Sequence, residues 1–317
     1  MATKPVADKR RMAKPLDTSS GDILADRRAD YAEMLFGSGE AGPAAELMLG
    51  ALELAPGWAM GWFRLGEFHE AAGDLDAAAQ AWRMAQKLDP DDRAGAGLKL
   101  AIAGATPAIA APPSAFVEAL FDQYAEKFDH ALVDTLAYRV PEFLAETIKK
   151  VHPGRFGLAL DLGCGTGLMG ERLRPFCDRL DGFDISAEML RKARAKGVYD
   201  RLEKADLQQF AYDGPKADLV TAADVFMYVG ALESVVKTVA ALLAEDGLFA
   251  FSVEKLDAAD GFALQPSRRY AHAEGYVRRV LGEAGLAVVS VEEKIIRQDR
   301  NVPVTGLIVV VAREARP

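Results

Sequence analysis

The chain has 317 residues, of which 50% are hydrophobic and 27% are charged, a composition typical of a soluble globular protein with more than one domain. Its formal net charge of −9 argues against nucleic acid as a partner, because phosphate contacts need clustered lysine and arginine. The two cysteines, Cys164 and Cys177, lack the spacing of a disulfide framework or a metal site, and no apolar run reaches the ~20 residues that span a bilayer.

These limits predict a cytoplasmic protein that uses no metal ion and contacts neither nucleic acid nor a membrane. The first 22 residues are polar and rich in lysine and arginine, and they lack the apolar core of a secretory signal. We expect residues 1–22 to form a disordered tail.

An internal repeat occupies residues 23–104. Pro56 and Pro90 lie 34 residues apart, and small and large apolar residues recur at the same offset. In the second copy, Gly66 and Ala78 would allow two helices to approach closely. This pattern resembles the tetratricopeptide repeat and predicts a small all-α domain whose last helix caps the stack. The repeats are either a structural appendage of the following domain or a surface that binds a protein partner or a second copy.

A linker and two helices are predicted next. Residues 105–113 contain three prolines, which stop a helix and favour an extended linker. Ser114 is expected to cap a helix that runs through Tyr124 and Phe128. A second helix is expected over residues 132–150.

From residue 156 onward, short apolar runs alternate with helical stretches, which indicates a mostly parallel sheet covered by helices on both faces. The final connection is too short for a parallel crossover, so the last strand pair should be antiparallel. The predicted strands are 157–162, 179–184, 200–204, 216–222, 246–253, 286–293 and 306–312.

A glycine-rich loop follows the first strand, which ends at Asp161. Gly163, Gly165 and Gly167 permit a tight turn and a close approach of the backbone to a ligand. Their spacing differs from the Gly-x-Gly-x-x-Gly of dinucleotide sites. An acid before the loop suits a ligand with a cationic aminoacyl group better than a pyrophosphate, which favours a bare helix N-terminus.

Two further acids end the next strands. Asp184 closes the second strand, where a carboxylate can accept hydrogen bonds from both hydroxyls of a ribose. Asp206 lies near the end of the third strand and is placed to accept a hydrogen bond from an adenine amino group.

With these motifs, residues 114–317 resemble the class I S-adenosylmethionine-dependent methyltransferases. The resemblance implies a Rossmann-like, seven-stranded α/β fold, S-adenosylmethionine as the cofactor with S-adenosylhomocysteine as its product, and no metal ion. It implies methyl transfer to a small molecule or to a protein recruited by the repeats. The cofactor-binding residues that it implies are Asp161, Gly163, Cys164, Gly165, Asp184, Ile185, Met189, Asp206, Leu207 and Asp224.

The acceptor should lie beyond the fourth strand, where Asp224 is followed by a segment without proline. Enzymes that methylate base amines or glutamine amides often carry prolines there, so their absence argues against methylation of amines on DNA bases and is compatible with small-molecule or protein acceptors. Asp224 either faces the acceptor or binds backbone at the strand end. By resemblance, Tyr124 and Phe128 cover the cofactor and shape the substrate cavity; alternatively, they pack in the core.

His272 is the predicted general base, because an imidazole titrates near neutrality, although it is equally placed to cap the helix that follows. Either Arg268 or Arg269 is placed to bind a carboxylate in a bidentate manner. The predicted catalytic residues are His272, Asp224 and Tyr124. The predicted substrate residues are Tyr124, Phe128, Tyr228, Arg268, Arg269 and Tyr270.

A rival interpretation is a scaffold or sensor that binds S-adenosylmethionine and uses the repeats as its working surface. The intact glycine loop and the acids Asp161, Asp184 and Asp206 disfavour it, because a degenerate site would be expected to lose some of them.

Overall fold

The computed structural model describes residues 18–126, 128–129, 137–299 and 302–313. Contacts between Cα atoms divide the chain into two compact units, with the boundary between Ala94 and Gly95. Most of the predicted disordered tail lies outside the described residues. Among the helices in the described ranges, none combines the length and apolar character needed to cross a bilayer. The cytoplasmic location stays a prediction.

The first unit is helical. Its helices in the described range are α1 (Ile23–Gly37), α2 (Ala41–Leu54), α3 (Ala59–Ala71) and α4 (Leu75–Leu88), and each packs against the next. A Cβ atom on Gly66 would lie 2.2 Å from the indole nitrogen of the buried Trp82, so a glycine is needed for α3 and α4 to approach each other. The predicted helix pairs are present, whereas their identity as tetratricopeptide repeats stays a prediction.

The next helix, α5 (Ala96–Ile102), is grouped with the second unit, although the sequence predicted that it caps the repeats. Gly95 precedes α5 with a left-handed φ of 76° and lies against the ring of Phe116, which a Cβ atom on Gly95 would approach to 2.8 Å. The boundary between the two units therefore falls before the predicted linker at 105–113. Gly95, the first residue of the second unit, packs against Phe116, which lies after that linker.

The second unit is built on one sheet. Its strands within the described residues are β1 (Phe156–Leu162), β2 (Cys177–Asp184), β3 (Arg201–Lys204), β4 (Ala217–Ala222), β5 (Leu243–Lys255), β6 (Phe262–Leu264), β7 (Tyr270–His272), β8 (Leu286–Asp299) and β9 (Val302–Arg313). Leaving β6 and β7 aside, the order is β3-β2-β1-β4-β5-β9-β8. Strands β1 to β5 are parallel, whereas β9 is antiparallel to both β5 and β8. The predicted α/β fold with an antiparallel final pair is confirmed.

The short strands β6 and β7 were not predicted, so the expected count of seven strands is wrong for the described chain. They form an antiparallel hairpin, in which Ala271 of β7 pairs with Glu254 of β5. Glu254 also pairs with Gly306 of β9. The hairpin therefore lies on the other side of β5, beyond the end of β4, and it adds a wall at the carboxyl edge of the sheet.

Helices cover both faces of this sheet, as predicted. In β9, Leu307 and Val309 belong to the core under α10 (Glu233–Leu242) and α11 (Glu274–Glu283), whereas Ile308 and Val310 belong to the core under α7 (Val140–Val151) and α8 (Leu168–Leu173). A central strand that is buried on both faces reads as a continuous apolar run, as this one does. The helices of the second unit that follow α5 are α6 (Ser114–Tyr124), α7 (Val140–Val151), α8 (Leu168–Leu173), α9 (Ala187–Lys196), α10 (Glu233–Leu242) and α11 (Glu274–Glu283).

Ser114 does not cap α6 as predicted. Pro113 occupies the cap position and Ser114 is the first helical residue, so the Ser114 hydroxyl is available to donate to the carboxylate of Asp206 at 2.6 Å. Helix α7 begins at Val140, and the earlier part of the helix predicted from residue 132 lies largely outside the described residues.

Candidate active site

A cavity opens at the carboxyl ends of the parallel strands. The strand order reverses between β1 and β4, and such a switch point is where open α/β sheets bind ligands. Its described lining is mostly apolar. The lining residues are Ser114, Val117, Phe121, Phe128, Tyr138, Pro141, Gly163, Cys164, Gly165, Thr166, Leu168, Met169, Asp184, Ile185, Ala205, Asp206, Leu207, Gln208, Ala223, Asp224, Val225, Met227, Tyr228, Val229, Arg269 and Arg297.

The glycine loop after β1 depends on backbone conformations that favour glycine. Gly163, Gly165 and Gly167 have φ angles of 65°, 54° and 95°. A Cβ atom on Gly163 would also lie 2.5 Å from a methyl group of Val225. The Cys164 amide donates to the carbonyl oxygen of Phe183 at 2.9 Å, which ties the loop to β2. The loop is thereby held with backbone facing the cavity.

Asp161 lies behind this loop and does not line the cavity. It is fully buried, and its carboxylate accepts hydrogen bonds from the hydroxyls of Tyr199 at 2.7 Å and Thr221 at 2.8 Å. Burial raises the pKa of Asp161 to about 6. In this structure the side chain is bonded to these two hydroxyls, whereas the sequence predicted a direct contact with the cofactor.

Asp184 lines the cavity, as the prediction requires. Its carboxylate accepts from the amides of Gly165 and Ser186, each at 2.8 Å. Burial raises the pKa of Asp184 to about 6. The two backbone donors fix the orientation of the carboxylate at the end of β2, next to the glycine loop.

The third acid, Asp206, lies on the same side of the cavity. Besides the Ser114 hydroxyl, it accepts from the amide of Gln208 at 2.9 Å. The predicted cofactor residues Cys164, Ile185 and Leu207 also line the cavity, whereas Met189 is buried in the protein and does not.

A segment formed by α6 and residues 128–129, here called the strap, covers this side of the cavity. Asp122 accepts from the Ser186 hydroxyl at 2.5 Å, and Asp129 accepts from the Thr166 hydroxyl. The Ser114 hydroxyl, also in the strap, donates to Asp206. The strap is therefore hydrogen-bonded to the chain after each of the first three strands. The spacing of residues along the chain gave no sign of these contacts.

The two strap aromatics predicted to cover the cofactor differ in position. Phe128 lines the cavity and packs edge-on against Phe121 at 6.0 Å between centroids. Tyr124 is 54% exposed and lies outside the cavity lining. Its predicted roles in catalysis and substrate binding are not supported by this placement.

At the opposite side of the cavity, Asp224 follows β4 with a left-handed φ of 57°, which is unusual for a residue other than glycine. Its carboxylate pairs with the guanidinium of Arg297 at 3.0 Å, and its amide donates to the Ser252 hydroxyl at 2.9 Å. Arg297 also pairs with Glu254. The three charged side chains form a nearly fully buried cluster, in which two carboxylates share one cation.

Arg297 was missed by the sequence analysis. It lies on β8, 73 residues after Asp224, in a polar stretch that is typical of an exposed strand. Its partner Glu254 also lies in a strand, and burial raises the pKa of that carboxyl group. Only the antiparallel pairing of β8, β9 and β5 brings these residues to the cavity.

Arg269 and Tyr228, both predicted to bind substrate, line this same side of the cavity. The Arg269 guanidinium lies near the Tyr228 hydroxyl and 3.6 Å from a carboxylate oxygen of Asp299. The Tyr228 ring packs edge-on against Phe121 of the strap, 5.2 Å away. The structure thus brings these two predicted residues together.

His272 is not placed to act as a general base. It is fully buried at the end of β7 and does not line the cavity. Its Nε2 atom lies 2.9 Å from each of two carbonyl oxygens, those of Val229 and Gly230, so it carries a proton and donates. Burial lowers the pKa of His272 to about 4. The general-base prediction fails because the imidazole serves as a neutral internal donor.

Two neighbouring predictions fail for similar reasons. The Arg268 guanidinium lies over the ring of Phe116, 5.4 Å from its centroid, and Arg268 is not part of the cavity lining. Tyr270 is fully buried, and its hydroxyl donates to the carbonyl oxygen of Ile109 at 2.9 Å.

Comparison with known families assigns this architecture. Residues 160–249 match the family model described as a methyltransferase domain. Over these residues the chain carries a methyltransferase domain. The matched segment runs from β1 into β5. It therefore includes the glycine loop and the acids Asp184, Asp206 and Asp224 that line the cavity.

The methyltransferase domain is similar to methyltransferase-like protein 27 of Homo sapiens, with 36% identity over 115 residues, which cover 35% of this chain and 45% of that protein. It is also similar to a chain of a complex that contains the Haloferax volcanii Trm112 methyltransferase activator. That chain has a TM-score of 0.50 and 18% identity, and the match covers 63% of this chain and 99% of the other. At that identity, the likeness shows the fold alone.

The chain is also 45% identical over 62 residues to the Hsp70-Hsp90 organizing protein of Triticum aestivum, covering 20% of this chain and 10% of that protein. The chain spans less than half the length of this relative and of the human one. Within the described ranges, no group of three side chains suited to hold a metal ion is present, and the absence of a metal cofactor stays a prediction.

Proposed function

We propose that the chain transfers a methyl group from S-adenosylmethionine to an acceptor bound on the Arg269 side of the cavity. One observation carries the proposal: a glycine turn and the carboxylates of Asp184 and Asp206 meet in one covered cavity at the switch point of a methyltransferase fold. The rival interpretation as a scaffold has no support from the comparisons.

The residues present fit this cofactor. Asp184 is oriented by two amides and can accept from the ribose hydroxyls, while Asp206 can accept from the adenine amino group. Ile185 and Leu207 offer apolar surface to the adenine ring. Gly163 and Gly165 line the cavity, so the aminoacyl end can approach the backbone of the loop closely.

When bound, S-adenosylmethionine supplies an electrophilic methyl group on a positively charged sulfur. The chain has to orient the acceptor and exclude water. Phe121 and Phe128 of the strap and Met227 after β4 line the cavity with apolar surface. Such a lining excludes water, so water does not compete with the acceptor for the methyl group.

Binding of S-adenosylhomocysteine, measured by isothermal titration calorimetry, tests the proposal. Asp184→Asn should weaken binding by about tenfold or more, because a hydrogen bond to a charged group contributes about 1.5–3 kcal/mol. The matched control is Asp178→Asn, at an aspartate whose side chain is 65% exposed and pairs with Arg155. Lack of binding by the unaltered protein would contradict the proposal.

We also propose that α1–α4 are two tetratricopeptide repeats that serve a protein partner or self-association. The 34-residue offset, the packing of Gly66 on Trp82 and the similarity to the wheat protein support this. Stacked repeats contact only their neighbours, so hydrogen exchange should show the two helices of a pair losing protection together. Independent exchange of α3 and α4 would contradict it.

A further inference from the structure

The charged groups that line the cavity are divided between the two halves of the sheet. Asp184 at the end of β2 and Asp206 after β3 have no basic partner among the residues that the structure describes. The two arginines of the lining, Arg269 and Arg297, lie beyond β4. A positively charged cofactor on the β2 and β3 side would therefore lie next to carboxylates, and the methyl acceptor on the other side would lie next to arginines.

The two arginines are not equivalent. Arg297 is 1% exposed and is occupied by Asp224 and Glu254, so its guanidinium is not available to an anion in the cavity. Arg269 is 25% exposed, and its ion pair with the half-exposed Asp299 is a loose one of 3.6 Å. A surface-type pair of this kind is weak, so an anion can compete for the Arg269 guanidinium.

Tyr228 adds a second donor beside Arg269. Its hydroxyl group lies near the Arg269 guanidinium and carries a proton that it can donate to an oxygen of the methyl acceptor. Both side chains line the cavity, so their donors can meet on one carboxylate.

Among the described residues of the lining, no side chain is placed to remove a proton from the methyl acceptor. This described lining contains no histidine and no lysine, and its three carboxylates are each already hydrogen-bonded within the protein. A neutral hydroxyl, a thiol or an ammonium group has to lose a proton to be methylated, whereas an ionised carboxylate does not. The lining thus suits an acceptor that arrives as an anion.

We infer that the methyl acceptor is a carboxylate on an apolar body, held by Arg269 and Tyr228. This inference rests on the proposed methyl transfer. The apolar body would pack against the hydrophobic part of the lining, which includes Phe121, Tyr138, Val225, Met227 and Val229.

The reaction balances without any proton transfer. A carboxylate oxygen of the acceptor forms a bond to the methyl carbon while the bond between that carbon and sulfur breaks, and the electron pair of the broken bond stays on sulfur. The products are a methyl ester and S-adenosylhomocysteine. One negative and one positive charge disappear, so an apolar, water-excluding cavity favours the step.

Binding of probe acids to the protein saturated with S-adenosylhomocysteine tests this without turnover. Hexanoate and phenylacetate should give saturation-transfer NMR signals, and the neutral hexanamide and phenylacetamide should bind about tenfold more weakly. Arg269→Gln should weaken binding of the acids about tenfold, since a charge-assisted contact is lost. The matched control, Arg268→Gln, should change it by less than about twofold, because that arginine lies on Phe116 outside the cavity lining.

Equal binding of acids and amides, or acid binding unaffected by Arg269→Gln, would overturn the inference. Affinity for S-adenosylhomocysteine is measured on each variant, so failure of the cofactor site is recognised separately.

A turnover assay adds a chemical readout. With methyl-tritiated cofactor and either the probe acids or a small-molecule cell extract, the transferred label should be released as methanol by mild alkali, as methyl esters are. Label that resists alkali would overturn the carboxylate inference and leave methyl transfer intact. Failure of the unaltered protein to bind S-adenosylhomocysteine would overturn the proposed function itself.

Discussion

The Ser114 hydroxyl donates a 2.6 Å hydrogen bond to the carboxylate of Asp206, which lies 92 residues later in the chain. It links the first residue of the strap to the acid after β3. The pairs Asp122–Ser186 and Asp129–Thr166 link the same strap to the chain after β2 and β1. The strap that would enclose a cofactor is therefore held by the same segments after β1, β2 and β3 that are expected to bind it.

Weakening the strap should speed release of the product. Asp122→Ala removes the acceptor of the Ser186 hydroxyl, a contact of the charge-assisted type that contributes about 1.5–3 kcal/mol. We expect S-adenosylhomocysteine to dissociate roughly ten times faster, as measured by surface plasmon resonance. Asp178→Ala, remote from the strap, is the control. Unchanged dissociation of the Asp122 variant would show that the strap does not limit release.

Cofactor binding should depend on pH through Asp184. Its pKa is about 6 because it is buried, and the ionised form is the acceptor for ribose hydroxyls. Affinity for S-adenosylhomocysteine should be constant above pH 7 and fall about tenfold by pH 5 as the carboxylate is protonated. Calorimetry between these pH values measures it, and Asp184→Asn should give a flat profile. A steep profile in that variant would assign the titration elsewhere.

The raised pKa also affects folding stability, which changes with pH in the direction opposite to the cofactor affinity. Because the pKa of Asp184 and that of Asp161 are raised above their ordinary value of 3.8, the folded state binds protons more tightly than the unfolded chain. The resulting stabilisation is fully present below about pH 4 and is lost as the pH rises through 6. Urea unfolding should show a decrease in stability over this window, reduced in Asp161→Asn. A decrease of equal size in that variant would exclude Asp161.

The buried cluster around Arg297 should be costly to break singly. Arg297→Met leaves the carboxylates of Asp224 and Glu254 buried without a cation, and we expect a loss of about 3–5 kcal/mol of unfolding free energy. Urea denaturation measures it. Adding Asp224→Asn and Glu254→Gln to the same protein should restore most of the loss. If the triple variant is no more stable than Arg297→Met, the cost is one of packing and not of charge.

The glycine loop offers a test by compensation. Gly163→Ala introduces a side chain at a φ of 65° and 2.5 Å from a methyl group of Val225. We expect a loss of about 1–3 kcal/mol and weaker binding of S-adenosylhomocysteine. Val225→Ala in the same protein should recover part of both by removing the clash. Gly197→Ala, also at positive φ but with open space around it, should cost only about 1 kcal/mol and leave binding unchanged.

The Asp161–Gly167 loop and the strand-end acid Asp184 could be recognised from the sequence because their signals are local. An apolar run that ends in an acid predicts a strand end, and alternating glycines predict a turn, without knowledge of distant residues. His272 was misjudged by the same local reasoning. An imidazole titrates near neutrality in water, but complete burial between two carbonyl oxygens makes it a neutral donor.

By itself, the sequence determined the α/β class, the position of the cofactor loop and the acids that face it, because strand periodicity and left-handed turns are properties of neighbouring residues. Only the tertiary structure decided what faces the acceptor. Arg297 reaches Asp224 across 73 residues, because β9 pairs with both β5 and β8, and strand partners cannot be read from hydrophobic periodicity. The strap contacts and the placement of Arg269 beside Tyr228 likewise depend on distant segments meeting at one edge of the sheet.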